Sequence, residues 1–223
     1  MKKKLLISFW PVLFSAVTAF CQQTNFSLAT DMGVLRSFKK EQRFWAEGQT
    51  IHMHLHFTPK EGAYWWLSYY TPGKFTNKLA ATAKLPATSP QQVNYLNNAE
   101  MRLRQVSIGW KQYLKGSSEN EESWNLYAFG GFGLIMGSVV NAQSVSIDTA
   151  LYNTPVQKGK ANFKRLTLDL GIGWEVNIGG AIFLYNEGKV WIPASDYPSD
   201  YIFINRNAPL TTSVSIGIRV LFD

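Results

Sequence analysis

Every histidine of the chain falls within "TIHMHLHFTP", residues 50–59, at His52, His54 and His56. Imidazole nitrogen is a common ligand for Zn²⁺ and related ions. On an extended strand, side chains two residues apart leave the same face about 6.5–7 Å apart. An H-x-H pair could therefore share one ion, with a third ligand from a neighbouring strand. Three in a straight row do not easily all reach one metal. No cysteine or identifiable carboxylate in the sequence completes the set. The residues between them, Ile51, Met53, Leu55 and Phe57, are all apolar. That alternation favours a strand with one greasy face and one polar face. On this reading the imidazoles fill an interior and hydrogen-bond to buried partners there. Asp31, Arg165, Asp169, Glu175 and Arg219 are the candidates for that polar network, since buried ions need partners of opposite sign.

Other chemistry is poorly supplied. "GGFG", residues 130–133, sits in the middle of a strand pattern, whereas a phosphate-cradling loop joins a strand to a helix. Neither a G-x-S-x-G elbow nor an H-E-x-x-H helix occurs. A lipid-acting enzyme would need serine or histidine at a rim, and the histidines lie in a strand body. The chain reads as non-enzymatic and calls for no cofactor. One binding feature stands out in residues 71–100, where Lys74, Lys78 and Lys84 meet no acid before Glu100. With Arg102 and Arg104 they would make a basic rim able to hold phosphates of a surface glycolipid through charge-assisted hydrogen bonds. A plain solvated loop is the competing reading.

These residues must be positioned by strands, because period-two alternation recurs along the chain. In "FKRLTLDLGIGWEVNI", Leu166, Leu168, Leu170, Ile172, Trp174, Val176 and Ile178 share one face. In "LTTSVSIGIRVLF", Val214, Ile216, Ile218, Val220 and Phe222 do the same, opposite Ser213, Ser215, Gly217 and Arg219. Eight strands are expected, at about 25–36, 50–58, 63–70, 101–114, 123–139, 163–178, 180–185 and 210–222. The connections alternate long and short. "PKEG", "KGSSENEE" and "NIGG" are tight, while residues 37–49, 71–100, 141–160 and 186–209 are long. An up-and-down sheet with one plain and one elaborate end has this rhythm.

Composition agrees with a β structure rich in boundary rings: 14% of residues are aromatic and 17% charged. The first 21 residues, "MKKKLLISFWPVLFSAVTAFC", have a basic start, an apolar run and small Ala19 and Cys21 before a cleavage point. The run is short, contains Pro11 and lacks a basic stop, which argues against a membrane anchor. Bulky Phe20 argues against lipidation of Cys21. Cleavage leaves one domain, residues 22–223, with no cysteine and so no disulfide. Removing Lys2, Lys3 and Lys4 leaves 22 − 3 = 19 basic against 15 acidic residues, a net +4. No basic helix or aromatic-flanked basic stripe is present, so nucleic acid is not an expected partner.

A sheet whose one face is continuously Leu, Ile, Val and Trp needs a cover. Helical periodicity is absent from the mature chain, so lipid must supply it. In lipid every backbone N–H and C=O must pair, so the sheet has to close. Gly33, Gly109, Gly131, Gly133, Gly171, Gly173 and Gly217 fall on the inward parity, where eight strands leave little room. Trp110, Tyr113, Trp124, Trp174 and Tyr64 to Trp66 lie near the short turns, with Tyr70 and Tyr185 toward the other end. They are expected to form the two interfacial girdles.

With its leader, strand count, loop rhythm and terminal "SVSIGIRVLF", the chain resembles the small OmpA-like or PorT-like outer-membrane barrels over residues 22–223. It ends on Asp223 where many relatives end on the aromatic. The resemblance implies an all-β, eight-stranded antiparallel up-and-down transmembrane barrel in the bacterial outer membrane, handed over by the barrel-assembly machinery. It carries no catalytic residues across. The expected role is structural, adhesive or partner-binding, with outer-membrane lipid, surface glycolipid or an envelope protein as partners, around a filled interior. The alternative is a soluble secreted lipocalin-like barrel with the faces reversed, holding an apolar ligand.

Overall fold

A computed structural model gives the structure over residues 25–119, 124–194 and 210–222. Residues 1–21, expected to be a leader, and most of the connection before the last strand lie outside the described residues. The strands are β1 (Asn25–Ser37), β2 (Phe44–Thr58), β3 (Glu61–Tyr70), β4 (Gly73–Ala83), β5 (Gln92–Lys115), β6 (Trp124–Gln143), β7 (Tyr152–Asn153), β8 (Gly159–Gly179), β9 (Ile182–Pro193) and β10 (Thr211–Phe222). All pairings are antiparallel. Eight of the ten form a ring in the order β1–β2–β3–β5–β6–β8–β9–β10, closed by β10 on β1.

Alternation divides the ring into an apolar outward face and a filled inward one. Followed across the ladders from Ile182, the register runs through Val220, Leu28, Met53, Trp65, Ile108, Phe132 and Leu168 to Ile192. Each of these nine residues is apolar, each faces outward, and the circuit returns to β9 ten residues farther along. A displacement of ten over eight strands requires a strand tilt of about 40°. The outward apolar band then stands about 25 Å tall, the height of a hydrocarbon layer as barrels see it. The inward rank beside it reads Phe183, Arg219, Ala29, His52, Trp66, Ser107, Gly133, Thr167 and Pro193. Leu168, Ile172, Val214 and Ile218 are outward, while Asp169 and Arg219 are 0% and 1% exposed. The lipocalin-like alternative, with apolar residues inward, is thereby overturned.

Several connections expected to be loops are strands. Residues 73–83 and 92–100 pair as a hairpin, so β4 continues the wall begun by β3 along the same edge of β5, past a break at residues 71–72. β9 runs on to Pro193, β6 to Gln143, and β2 begins at Phe44. The reason is physical. Above the apolar band the outward face turns polar, as with Asn94, Asn98 and Glu100 on β5, so the contrast in hydropathy fades while the hydrogen-bond ladder continues. The described wall is consequently uneven. β4, β5, β6 and β8 rise well above the ends of β1, β2, β9 and β10.

Close packing inside demands glycine in at least one place. Gly109 and Gly131 face each other across β5 and β6 under the Tyr64 hydroxyl. A Cβ on Gly131 would come within 2.6 Å of both that hydroxyl and Gly109 Cα. The girdles differ from expectation. Trp65, Trp110, Trp124 and Trp174 point outward near the short turns, and the Lys115 ammonium lies 3.8 Å above the Trp124 ring. Tyr64, Trp66, Tyr70, Tyr113 and Tyr185 are instead buried in the interior. Side-chain faces alternate along a strand, so proximity to a strand end does not make a ring interfacial. At the opposite edge the outward rings are Trp45 and Tyr69, each under an arginine, Arg36 at 4.4 Å and Arg104 at 5.4 Å.

Candidate functional site

The interior is filled at successive levels. Nearest the short turns, Glu175 on β8 accepts from Arg219 on β10, through Nη2 at 2.7 Å and Nε at 3.1 Å. Tyr113 donates to the same carboxylate at 2.9 Å and Asn125 at 3.2 Å, while the Lys111 ammonium stands 3.8 Å off. Arg219 also donates to Ser27 and to the Ser118 carbonyl, which spans the hollow. Ser27 shares a short hydrogen bond with His56. This Ser–His contact resembles a nucleophile and its base, yet Ser27 is 0% exposed and offers no approach to a substrate.

One level higher, the Lys189 ammonium sits 3.1 Å from Asp31, 2.9 Å from Glu187 and 3.3 Å from His52 Nε2. His52 is itself 2.8 Å from Asp31. Tyr185 donates to Asp31 and Tyr127 to Glu187. Asp31, His52 and Glu187 form a group with the spacing of metal ligands. The ammonium of Lys189 already occupies the cation position among them. The histidine row does not converge on a point: the rings stack side by side at 5.6 and 6.2 Å. His54 and His56 are outside that group.

Above this, Asp169 accepts from Gln105 at 2.8 and 2.9 Å and from Thr167 at 2.7 Å. Higher still the filling turns apolar, with Leu35, Phe44, Tyr70, Met101, Leu103, Ile135, Val139, Phe163 and Trp191 packed together. Arg165 is buried among them, opposite Ile135, at the edge of a cavity of ≈ 20 Å³. An ionic middle is thus capped on the side away from the short turns by an oily plug.

All five residues proposed for the polar network lie inside. Three further ions, Lys111, Glu187 and Lys189, also lie there. With them, among the described residues, buried Asp31, Asp169, Glu175 and Glu187 face Lys111, Arg165, Lys189 and Arg219, four acids against four bases. Lys111 was legible from parity, two residues beyond Gly109. Glu187 and Lys189 were hidden because β9 was expected to stop at residue 185.

The basic rim is redistributed. Lys74 is taken up by Glu100 at 3.3 Å, Lys84 donates to the Thr149 carbonyl at 2.7 Å, and Lys78 lies high on β4 opposite Leu96. Arg102 and Arg104 keep company with Lys160 and Lys164 of β8, which the sequence did not single out. These four border a groove of ≈ 560 Å³ on the outside of the wall, floored by Met136, Gly137 and Ser138 of β6.

No protein-family model matches the chain, and no curated protein matches it either. Solved structures do. Neisserial surface protein A aligns with a TM-score of 0.54 at 9% identity, over 87% of this chain and 96% of its own. A major outer membrane protein from Thermus thermophilus aligns at 0.53 and 10% identity, over 90% and 100%. At such identities the likeness is one of architecture, and the architecture is that of the small outer-membrane β-barrels.

Proposed function

We propose that the protein is a non-enzymatic barrel of the bacterial outer membrane, closed to solute flow, that presents a raised surface for structural or partner-binding work. One observation carries this: an unbroken outward circuit of apolar residues encloses an interior whose ions cancel and whose side chains bridge the walls. The outside needs lipid, since a loop-free apolar belt of this kind in water would aggregate. The inside has no room for a channel, because Glu175–Arg219, Tyr127–Glu187 and Gln105–Asp169 cross it and the plug closes its outer end. On this reading residues 1–21 are a cleaved leader, and β10 is the strand read by the assembly machinery. Envelope proteins and surface glycolipid are the natural partners of the loop-bearing end.

The test is biochemical. The protein should fractionate with the outer membrane, require detergent for release, and migrate faster on a gel unheated than boiled. Reconstituted in planar bilayers, it should show no steady conductance. A sustained open level of single channels would remove the closed-barrel reading, and release without detergent would remove the membrane reading itself.

A further inference from the structure

We infer that the outer wall of β5, β6 and β8 carries a clamp for a phosphorylated lipid headgroup, formed by Arg102, Arg104, Lys160 and Lys164. The inference rests on the membrane reading above and adds a ligand to it.

Position is the first argument. Across the three strands the register aligns Arg104, Met136 and Lys164, and the next outward rank is Val106, Leu134 and Leu166. The change from cation to hydrocarbon-loving side chain therefore happens at one register step on β5 and β8, the two strands that flank β6. On β5 apolar Val106, Ile108 and Trp110 continue toward the short turns, and on β8 Leu166, Leu168, Leu170 and Ile172 do. The four cations stand at the upper edge of the band, where acyl chains end and headgroups begin.

Geometry is the second. Strands lie about 4.8 Å apart, so Arg104 and Lys164 flank Met136 about 10 Å from each other. Arg102 and Arg104 leave the same face about 6.5–7 Å apart. Between these two banks the outward residues of β6 are Met136 and the small Ser138, and the resulting groove is open to the side. No acid lines it among the described residues. The nearest carboxylate on the same face of β5, Glu100, is engaged by Lys74. Arg104 is steadied from the other side by the Tyr69 ring at 5.4 Å. Two guanidinium forks and two ammonium groups around an acid-free groove suit a phosphate monoester, which takes bidentate hydrogen bonds from arginine.

The source of the phosphate follows from the floor below it. A free phosphate would gain nothing from Met136, Leu134 and Val106 beneath the cations. A lipid would lay its chains along them while its headgroup entered the groove. The occupant is accordingly a membrane lipid with an exposed phosphate.

Native mass spectrometry of the full-length folded barrel, released from neutral detergent, tests this. The probes are phosphatidic acid, phosphatidylcholine and inorganic phosphate. The wild type should keep one phosphatidic acid in a salt-sensitive manner. The double variant Arg104→Gln/Lys164→Gln should lose this with an affinity drop on the order of tenfold or more. Phosphatidylcholine retention should be the same in both, and inorganic phosphate at millimolar levels should not compete. Lys78→Gln/Lys84→Gln, which removes charge elsewhere on the raised wall, should leave retention unchanged. Equal retention by wild type and the Arg104/Lys164 variant overturns the clamp. Effective competition by inorganic phosphate overturns the lipid as its occupant. The heat-dependent gel shift of each variant reports separately that the barrel is folded, so failure of the clamp is distinguishable from failure of the membrane reading.

Discussion

Replacing Lys189 with methionine would strip the ammonium from between Asp31 and Glu187 while keeping a side chain of similar length. Two carboxylates and an imidazole would then share a dry site with no cation. Removing one partner of a buried ion pair costs roughly 3–5 kcal/mol, mostly because the other charge is left stranded. Lys189→Met should therefore lower the urea midpoint of the detergent-refolded barrel by an amount equivalent to several kcal/mol. A midpoint unchanged within error would mean that this cluster does not hold the core. The outward face answers to a different rule. Phe132, in the middle of the apolar band, is 70% exposed to what surrounds the wall. If that surrounding is lipid, Phe132→Arg should cost about 2–4 kcal/mol of stability in bilayers and Phe132→Leu close to nothing. Unfolding in phospholipid vesicles measures the difference, and an Arg variant as stable as wild type would place Phe132 away from the hydrocarbon.

At the scale of strands, orientation is testable through cysteine. The chain's one cysteine, Cys21, lies in the proposed leader, so introduced thiols would be the sole targets in the mature protein. Thr88 is at the tip joining β4 to β5, and Lys60 is in the tight turn between β2 and β3. A membrane-impermeant maleimide should label Thr88→Cys on intact cells and reach Lys60→Cys only after lysis. The reverse result would invert the barrel. The eight membrane-crossing strands were legible because lipid on one side and crowding on the other give every second residue an opposite character, as in residues 166–178. Legibility ended where that contrast ended. β4 and the upper part of β5 carry polar residues outward, so their ladder left no trace in hydropathy. Stopping β9 at residue 185 hid Glu187 and Lys189, two of the three groups around His52. The histidine row was therefore visible in sequence while the ion that neutralises its neighbourhood was not. Lys160 and Lys164 were missed for another reason. They are close to Arg102 and Arg104 only through β6, a juxtaposition that pairing creates and one-dimensional spacing does not contain.

For the molecule as a whole, ten residues of stagger over eight strands leave an interior that only side chains can fill, and among the described residues it holds four buried acids and four buried bases. With residues 1–21 removed as proposed, the remaining surplus positive charge would then reside outside that core. The wall bearing the clamp is also the high one: β4, β5, β6 and β8 stand proud of β1, β2, β9 and β10 among the described residues. Among the described residues the rim is therefore a parapet along one flank, and on the proposed surface placement an approaching partner would meet that flank first. On the proposed membrane reading, a neighbour in the same plane would meet either that parapet or the lower strands opposite, so the described strands give the barrel a front and a back although they close into a ring.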